Sequence, residues 1–275
     1  MVVMTETNQP PKIQLLGTQL TLCNCQQLLQ VIERIVRIAH KGTVVSGNVY
    51  SFNLAYQHKW LRDFFNQADI VRLDGAGVRL GAKILGHTTP QRMTWADFAW
   101  QLAELAQQHA FTMFLLGARP GIADKAAAQL QERFPNLHIV GTHHGYFDKT
   151  PGSPENQAVI QAINAVKPNI LILGFGMPLQ ERWLMENSDH IEANVILTGG
   201  AVFDYVSGEL RRAPRWMTER GLEWLGRLVI EPRRLWRRYI IGNPLFLWRV
   251  LKQRWGVLDL KQDRNTVSTR NEPRD

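Results

Sequence analysis

Ile170-Leu171-Ile172-Leu173-Gly174-Phe175-Gly176-Met177-Pro178 is a short apolar run that stops in a glycine-rich turn. A run this brief and this uniformly apolar, closed by Gly and Pro, fits a strand buried on both faces. The shape recurs along the chain. Thr43–Val45 leads into Ser46-Gly47-Asn48, and Ile70–Leu73 into Asp74-Gly75-Ala76-Gly77. Phe111–Leu116 leads into Gly117-Ala118-Arg119-Pro120-Gly121, and Val195–Leu197 runs up to Gly199-Gly200. Leu137–Val140 reads as one more strand. Between the strands, Leu28, Leu29, Ile32, Ile35 and Val36 recur at helical spacing, and Trp95–His109, Ile122–Phe134 and Glu155–Val166 are helical stretches. Strands alternating with helices predict an α/β fold: a Rossmann-like, mostly parallel sheet with helices on both faces.

Ligands of open α/β sheets bind at the carboxyl ends of the strands, where free backbone N–H groups and helix N-termini favour anions. Any one glycine loop is accounted for by a tight βα turn. Their repetition at several strand ends points to a phosphate-bearing ligand. Two common phosphate signatures are missing. Leu179 stands where a dinucleotide fingerprint starting at Gly174 needs its third glycine, which argues against an oxidoreductase. The Gly117–Gly121 loop lacks the Lys-Ser/Thr of a P-loop. The chain also has no Asp-x-Asp clamp for a metal-bound diphosphate, so no metal or other cofactor is expected. Arg side chains and helix dipoles would take the metal's place.

The charge is lopsided. Residues 211–255 hold eleven Arg and one Lys against three Glu, a net +9, whereas the whole chain carries +8. The body is therefore near neutral. Five of the nine Trp share this stretch: Trp216, Trp224, Trp236, Trp248 and Trp255. Trp beside Arg favours an anionic membrane surface over nucleic acid, and no nucleic-acid motif accompanies the charge. No run reaches the ~18–20 apolar residues that span a bilayer, and the N-terminus lacks the apolar core of a secretory signal. The expected organisation is a catalytic α/β domain over residues 1–209, a basic, helical, membrane-associated appendage over 210–256, and a polar, disordered tail over 257–275. The expected location is the cytoplasm, on the inner face of the plasma membrane. Cys23 and Cys25 read as plain reduced residues, and His143 and His144 as structural ones.

Three blocks occur in order along the chain: NVYS through ADIVRLDGAGV to RMTWADF, then GFGMPLQERW, then RRAPRWMTERGLEWLGRLVIEPRRLWRRYIIGNPLFLWRVLKQR. Together, from about Ile13 to Arg254, they resemble the WecG/TagA/CpsF family of bacterial glycosyltransferases. The resemblance implies an inverting, metal-independent enzyme. Its donor would be a UDP-sugar, N-acetylmannosamine first and glucose or glucuronic acid as alternatives. Its acceptor would be a sugar on a polyprenyl diphosphate, in the synthesis of cell wall, capsule or exopolysaccharide.

Asp74 matches the family's general base, a role that contributes roughly 10²–10⁴-fold when the base is well placed. The bare residues also allow Asp74 to cap the helix that starts near Ala76. The resemblance adds Arg92 and Gln180 to the catalytic group. It assigns substrate contact to Ser46 and Asn48 and nucleotide contact to Gly199, Gly200 and Asp204. The strand-end loops add Gly117 and Gly176. Arg227, Arg234 and Arg237 are assigned to the diphosphate, and Arg211, Arg212, Arg215, Arg233, Arg238, Arg249 and Arg254 to lipid headgroups. Two positions depart from the family pattern: Ser46 replaces Thr, and Trp95 replaces a small residue, which predicts extra bulk at the substrate pocket.

Overall fold

The structure, a computed structural model, describes residues 10–91 and 93–258. Arg92 and the tail from residue 259 onward lie outside the described residues.

The chain opens with a hairpin, β1 (Lys12–Leu15) and β2 (Thr18–Thr21), then α1 (Cys25–Arg37). Next come β3 (Gly42–Gly47), α2 (Val49–Gln57), α3 (Lys59–Gln67), β4 (Ile70–Leu73), α4 (Ala76–Ile84) and α5 (Trp95–Gln108). The second half runs β5 (Thr112–Gly117), α6 (Ile122–Arg133), β6 (His138–His143), α7 (Pro154–Val166), β7 (Ile170–Gly174), α8 (Leu179–Asn187), β8 (Val195–Thr198) and α9 (Val202–Val206). Four more helices close the described chain: α10 (Arg215–Glu219), α11 (Glu223–Ile230), α12 (Pro232–Trp236) and α13 (Gly242–Arg254). A π-helical turn, Arg237–Ile241, joins the last two.

Among the described residues eight strands form one sheet, in the order β1-β2-β4-β3-β8-β7-β5-β6. Every pairing is parallel except β1 with β2. The doubly covered α/β sheet read from the sequence is therefore present, and each strand read there lies within three residues of its expected ends. Strands β4, β7 and β8 are buried along their whole length, as strands with helices on both faces must be. Val44 and Ile70 point to one face, into a core with α1, α5, α6 and α9. Their neighbours Val45 and Val71 point to the other, into a core with α2, α3, α4 and α13. Helices α7 and α8 cover that second face over β5 and β7.

The hairpin was not anticipated. Its strands are four residues each and alternate with polar residues. Leu16 and Gly17 both take left-handed φ, 53° and 76°, as a two-residue turn matched to strand twist requires.

The end of the chain is tied into the body. Phe246 and Val250 of α13 are 0% exposed and pack among Phe52, Val78 and Ala82. Gln253 accepts a hydrogen bond from the Leu16 backbone N–H (2.8 Å) and donates one to Gln14 O (2.9 Å). Removing the chain from Arg211 onward would thus strip part of the core as well as the basic segment. Phe246→Ala is expected to cost about 3–5 kcal/mol in denaturant unfolding, as for other fully buried aromatics. A loss below about 1 kcal/mol would show that α13 does not belong to the core.

Candidate active site

The carboxyl ends of β3, β4, β7 and β8 open into a cleft of about 1860 Å³. Pockets for one small ligand hold roughly 300–1,000 Å³, so two substrates fit. The cleft lies where the strand order reverses, between β3 and β8, which is the usual ligand position in such sheets.

Asp74 follows directly on β4. Its backbone N–H donates to Gly47 O (2.9 Å), extending the ladder with β3. The N-cap of α4 is Gly75, and no side chain bonds to that helix end. Asp74 is therefore not a cap. Its carboxylate lines the cleft with 23% of the side chain exposed.

Beneath it lies Arg72, 0% exposed although charged. Its Nη2 is 3.7 Å from Asp74 Oδ2. Nε donates to Ser46 Oγ (3.0 Å) and Nη1 to Met93 O (3.2 Å). The guanidinium sits over the rings of Trp95 (5.0 Å) and Phe98 (5.6 Å). Burial lowers the Arg72 pKa, and the charge of Asp74 opposes that shift.

Ser46 takes a different part from the one expected. Its Oγ donates to Thr198 O (2.9 Å) and accepts from Arg72 Nε and Trp95 Nε1 (2.9 Å). One donor and two acceptor sites are then used, so the hydroxyl has none left for a substrate. Trp95 is also corrected. Only 5% exposed, it donates to Thr198 O as well (2.9 Å) and meets Phe98 edge-on. The indole builds the cleft floor instead of filling the cleft.

Asn48 caps α2, accepting from Ser51 N (3.0 Å), and its Oδ1 also lies 3.5 Å from Arg238 Nη2. Gly176, Gly199, Gly200 and Asp204 line the cleft, whereas Gly117 does not. Gly117 is where β5 meets β7: a Cβ there would lie 2.5 Å from the Gly174 backbone, and its φ of +152° suits glycine alone. Burial raises the Asp204 carboxyl above its usual range, with Arg119, Arg227 and Arg234 opposing.

Helices α11 and α12 and the π turn bring Arg227, Arg234, Arg237 and Arg238 to the cleft. Arg234 pairs with Glu231 at 2.7 Å and Arg227 with the same carboxylate at 3.4 Å. Arg237 stacks on Trp236, 5.3 Å away. Arg238, assigned above to lipid, turns inward over Tyr50 at 4.7 Å. The Nε atoms of Arg227 and Arg238 are buried with no hydrogen-bond partner. Two further tail residues are also corrected. Arg249 is 9% exposed and bonds Asn53 Oδ1 (2.8 Å), so it braces α13 against α2. Arg212 forks onto Asp97 (2.5 and 2.6 Å), which clasps the basic segment to α5. Arg211, Arg233 and Arg254 are exposed, and the side chain of Arg215 lies outside the described residues.

The description "Glycosyl transferase WecG/TagA/CpsF family" belongs to a family model that matches residues 13–259. The chain belongs to this family. It is also similar to the N-acetylglucosaminyldiphosphoundecaprenol N-acetyl-beta-D-mannosaminyltransferases of Staphylococcus aureus strains NCTC 8325 / PS 47 and COL. Identity is 27% over 256 residues, covering 91% of this chain and 96% of each relative. The chain is thus a glycosyltransferase.

The place of two side chains at the cleft, Arg72 beneath Asp74 and Arg238 over Tyr50, was not read from the sequence. Arg72 had a visible signal, a charge inside the apolar run Ile70–Leu73. Arg238 had none, since spacing does not separate it from Arg237.

Gln180 in turn is a staple. Its Oε1 accepts from Gly176 N (3.3 Å) and Gly200 N (3.1 Å), joining the β7 and β8 loops, and its Nε2 donates to Glu181 Oε1 (2.7 Å). One amide hydrogen is left for the cleft. Glu181 is 0% exposed, and burial pushes its carboxyl up to about 7. A folded pKa above the unfolded value means the folded state holds the extra proton. That stability is complete below about 4.5 and is lost as pH rises through about 7. Glu181→Gln is therefore expected to flatten the pH dependence of the melting temperature between pH 4.5 and 7. It should also gain up to ~3 kcal/mol at pH 8. An unchanged slope in calorimetry would mean that Glu181 stays ionised when buried.

Proposed function

We propose that this glycosyltransferase moves N-acetylmannosamine from a UDP-linked donor onto N-acetylglucosamine carried by a polyprenyl diphosphate, in one inverting displacement. The name of the S. aureus relatives supports both sugars and the lipid carrier. The observation that carries the reading is Asp74. It is a carboxylate free of any capping bond, on a cleft that also holds two guanidinium groups with unused N–H donors.

The chemistry follows from those groups. The acceptor hydroxyl attacks the anomeric carbon as its proton passes to Asp74. The bond from that carbon to the donor diphosphate breaks, and the electron pair leaves with the nucleotide. Arg227 and Arg238, with Arg234 and Arg237 beside them, meet the charge growing on the departing phosphates. Guanidinium forks suit phosphate oxygens geometrically and stay ionised. Donors fixed in advance where charge develops are often the largest single contribution to rate. Asp204 and the Gly199-Gly200 turn suit the ribose and base of the donor.

Asp74→Asn is expected to lower kcat by roughly 10²–10⁴-fold in a protein that still folds but melts lower, because Arg72 loses its carboxylate. Arg238→Ala should cost ~10²-fold or more. The readout is UDP release from UDP-N-acetylmannosamine with a short-chain prenyl-diphosphate acceptor, in buffer containing EDTA. Near-normal turnover of Asp74→Asn would remove the base.

The acceptor's lipid requires a membrane surface, and the C-terminal helices present one kind of face to it. Trp216, Val229, Ile230, Trp236, Ile240, Ile241, Trp248 and Trp255 are exposed, with Arg211, Arg233 and Arg254 exposed on the same helices and just before them. No helix among the described residues is long and apolar enough to cross a bilayer. The protein would therefore lie on the surface, Trp at headgroup level and Arg on anionic lipid, each basic residue worth ~1 kcal/mol. It should sediment with vesicles containing phosphatidylglycerol at 0.1 M NaCl and much less at 0.5 M. At equal ionic strength duplex DNA should bind more weakly. Stronger binding to DNA would favour a nucleic-acid partner.

A further inference from the structure

We propose that Arg72 is a positioning residue for Asp74, holding its carboxylate turned into the cleft. The inference rests on the reading of Asp74 as the base.

A guanidinium with no exposed surface is costly to bury unless its charge is matched. Among the described residues the carboxylate that matches it is Asp74. The other arms of Arg72 are committed. Nε is tied to Ser46 Oγ and Nη1 to Met93 O, while Trp95 and Phe98 lie against the guanidinium. Ser46 is itself fixed by Trp95 and Thr198. The remaining nitrogen, Nη2, is buried, has no hydrogen-bond partner, and is the atom 3.7 Å from Asp74 Oδ2. A continuous set of bonds from β8 through β3 to β4 thus aims one free donor at the carboxylate.

The attraction between opposite charges at this distance fixes the direction of the carboxylate. Other groups bear on the same pair. The thiols of Cys23 and Cys25 lie near Arg72, and Tyr205 and Arg238 near Asp74. Burial pushes Cys23 up to about 11 and Tyr205 up to about 12, so neither is charged near neutrality. Burial likewise raises Cys25. Arg72 and Arg238 are then the cations that act on Asp74 from the described residues. Arg238 is engaged once a diphosphate binds. Arg72, sealed under the floor, is not.

The test is kcat and donor KM for wild type, Arg72→Met, Arg72→Gln and Arg72→Lys, with Arg72→Met also made in Asp74→Asn. The substrates are UDP-N-acetylmannosamine and the short-chain acceptor. Arg72→Met and Arg72→Gln are each expected to lower kcat roughly 10- to 100-fold. The donor KM should stay within about threefold. Arg72→Lys keeps the charge and should restore most of kcat. In Asp74→Asn the further loss from Arg72→Met should shrink to about twofold or less. An equal loss in both backgrounds, or an unchanged kcat in a folded neutral variant, overturns the proposal. Should neither neutral variant fold, Ser46→Ala frees one arm of the guanidinium and must lower kcat at unchanged donor KM; an unaltered kcat overturns it. Full activity of Asp74→Asn would instead defeat the base itself, whatever the Arg72 variants do.

Discussion

Parallel strands deliver their carboxyl ends to one rim of the sheet, and each functional group of the cleft floor depends on that geometry. Asp74 follows β4, Ser46 is next to last in β3, Asn48 follows that strand, Gly174 ends β7 and Gly199 follows β8. Residues more than a hundred positions apart meet because the strands are neighbours; Ser46 bonding Thr198 is the plainest case. The reversal of strand order between β3 and β8 then leaves a crevice that no helix of the sheet's two faces fills. Farther along the rim, Gly117 and Gly174 bring β5 and β7 close together.

Two fully buried ionisable side chains flank this crevice and behave in opposite ways. Arg72 retains its proton because a guanidinium holds it even when burial works against it, so its charge must be met by Asp74 and by aromatic faces. Among the described residues Glu181 meets no cation, and its carboxyl rises to about 7 instead. Each fixes a residue that borders the cleft: Arg72 acts on Asp74, Glu181 on Gln180. Both stand where a well-packed apolar side chain would cost less. Their retention is easier to understand as a demand of the site than of the fold.

Much of the sheet was legible because its strands are short apolar runs cut off by glycine. Ile70–Leu73 matches its observed span, and Ile170–Leu173 differs by one residue. The hairpin was not, since an edge pair with polar alternation carries too weak a pattern in four residues. Side-chain roles were less legible than positions. The sequence directs attention to Ser46, yet whether its hydroxyl meets a substrate depends on Arg72 and Trp95 arriving from β4 and α5. The tail shows the limit most plainly. Arg233, Arg234, Arg237 and Arg238 are alike in sequence, but helical rotation sends neighbours to different sides, and a π turn resets that rotation at Arg237.

That rotation also makes one segment serve two surfaces. Trp236 and Ile240 face outward, while Arg238 faces Asn48 and Tyr50, and the two sets are only a few residues apart. The segment is held at both ends, by the Arg212 fork on Asp97 before it and by Phe246 in the core after it. With the ends fixed, turning the segment to bury more Trp in lipid would carry Arg238 away from the cleft, and drawing Arg238 deeper would lift the Trp side chains. On the proposed reading, the orientation that satisfies both faces together would let a lipid-borne acceptor lie against the outside of the segment and present its sugar beneath the arginines.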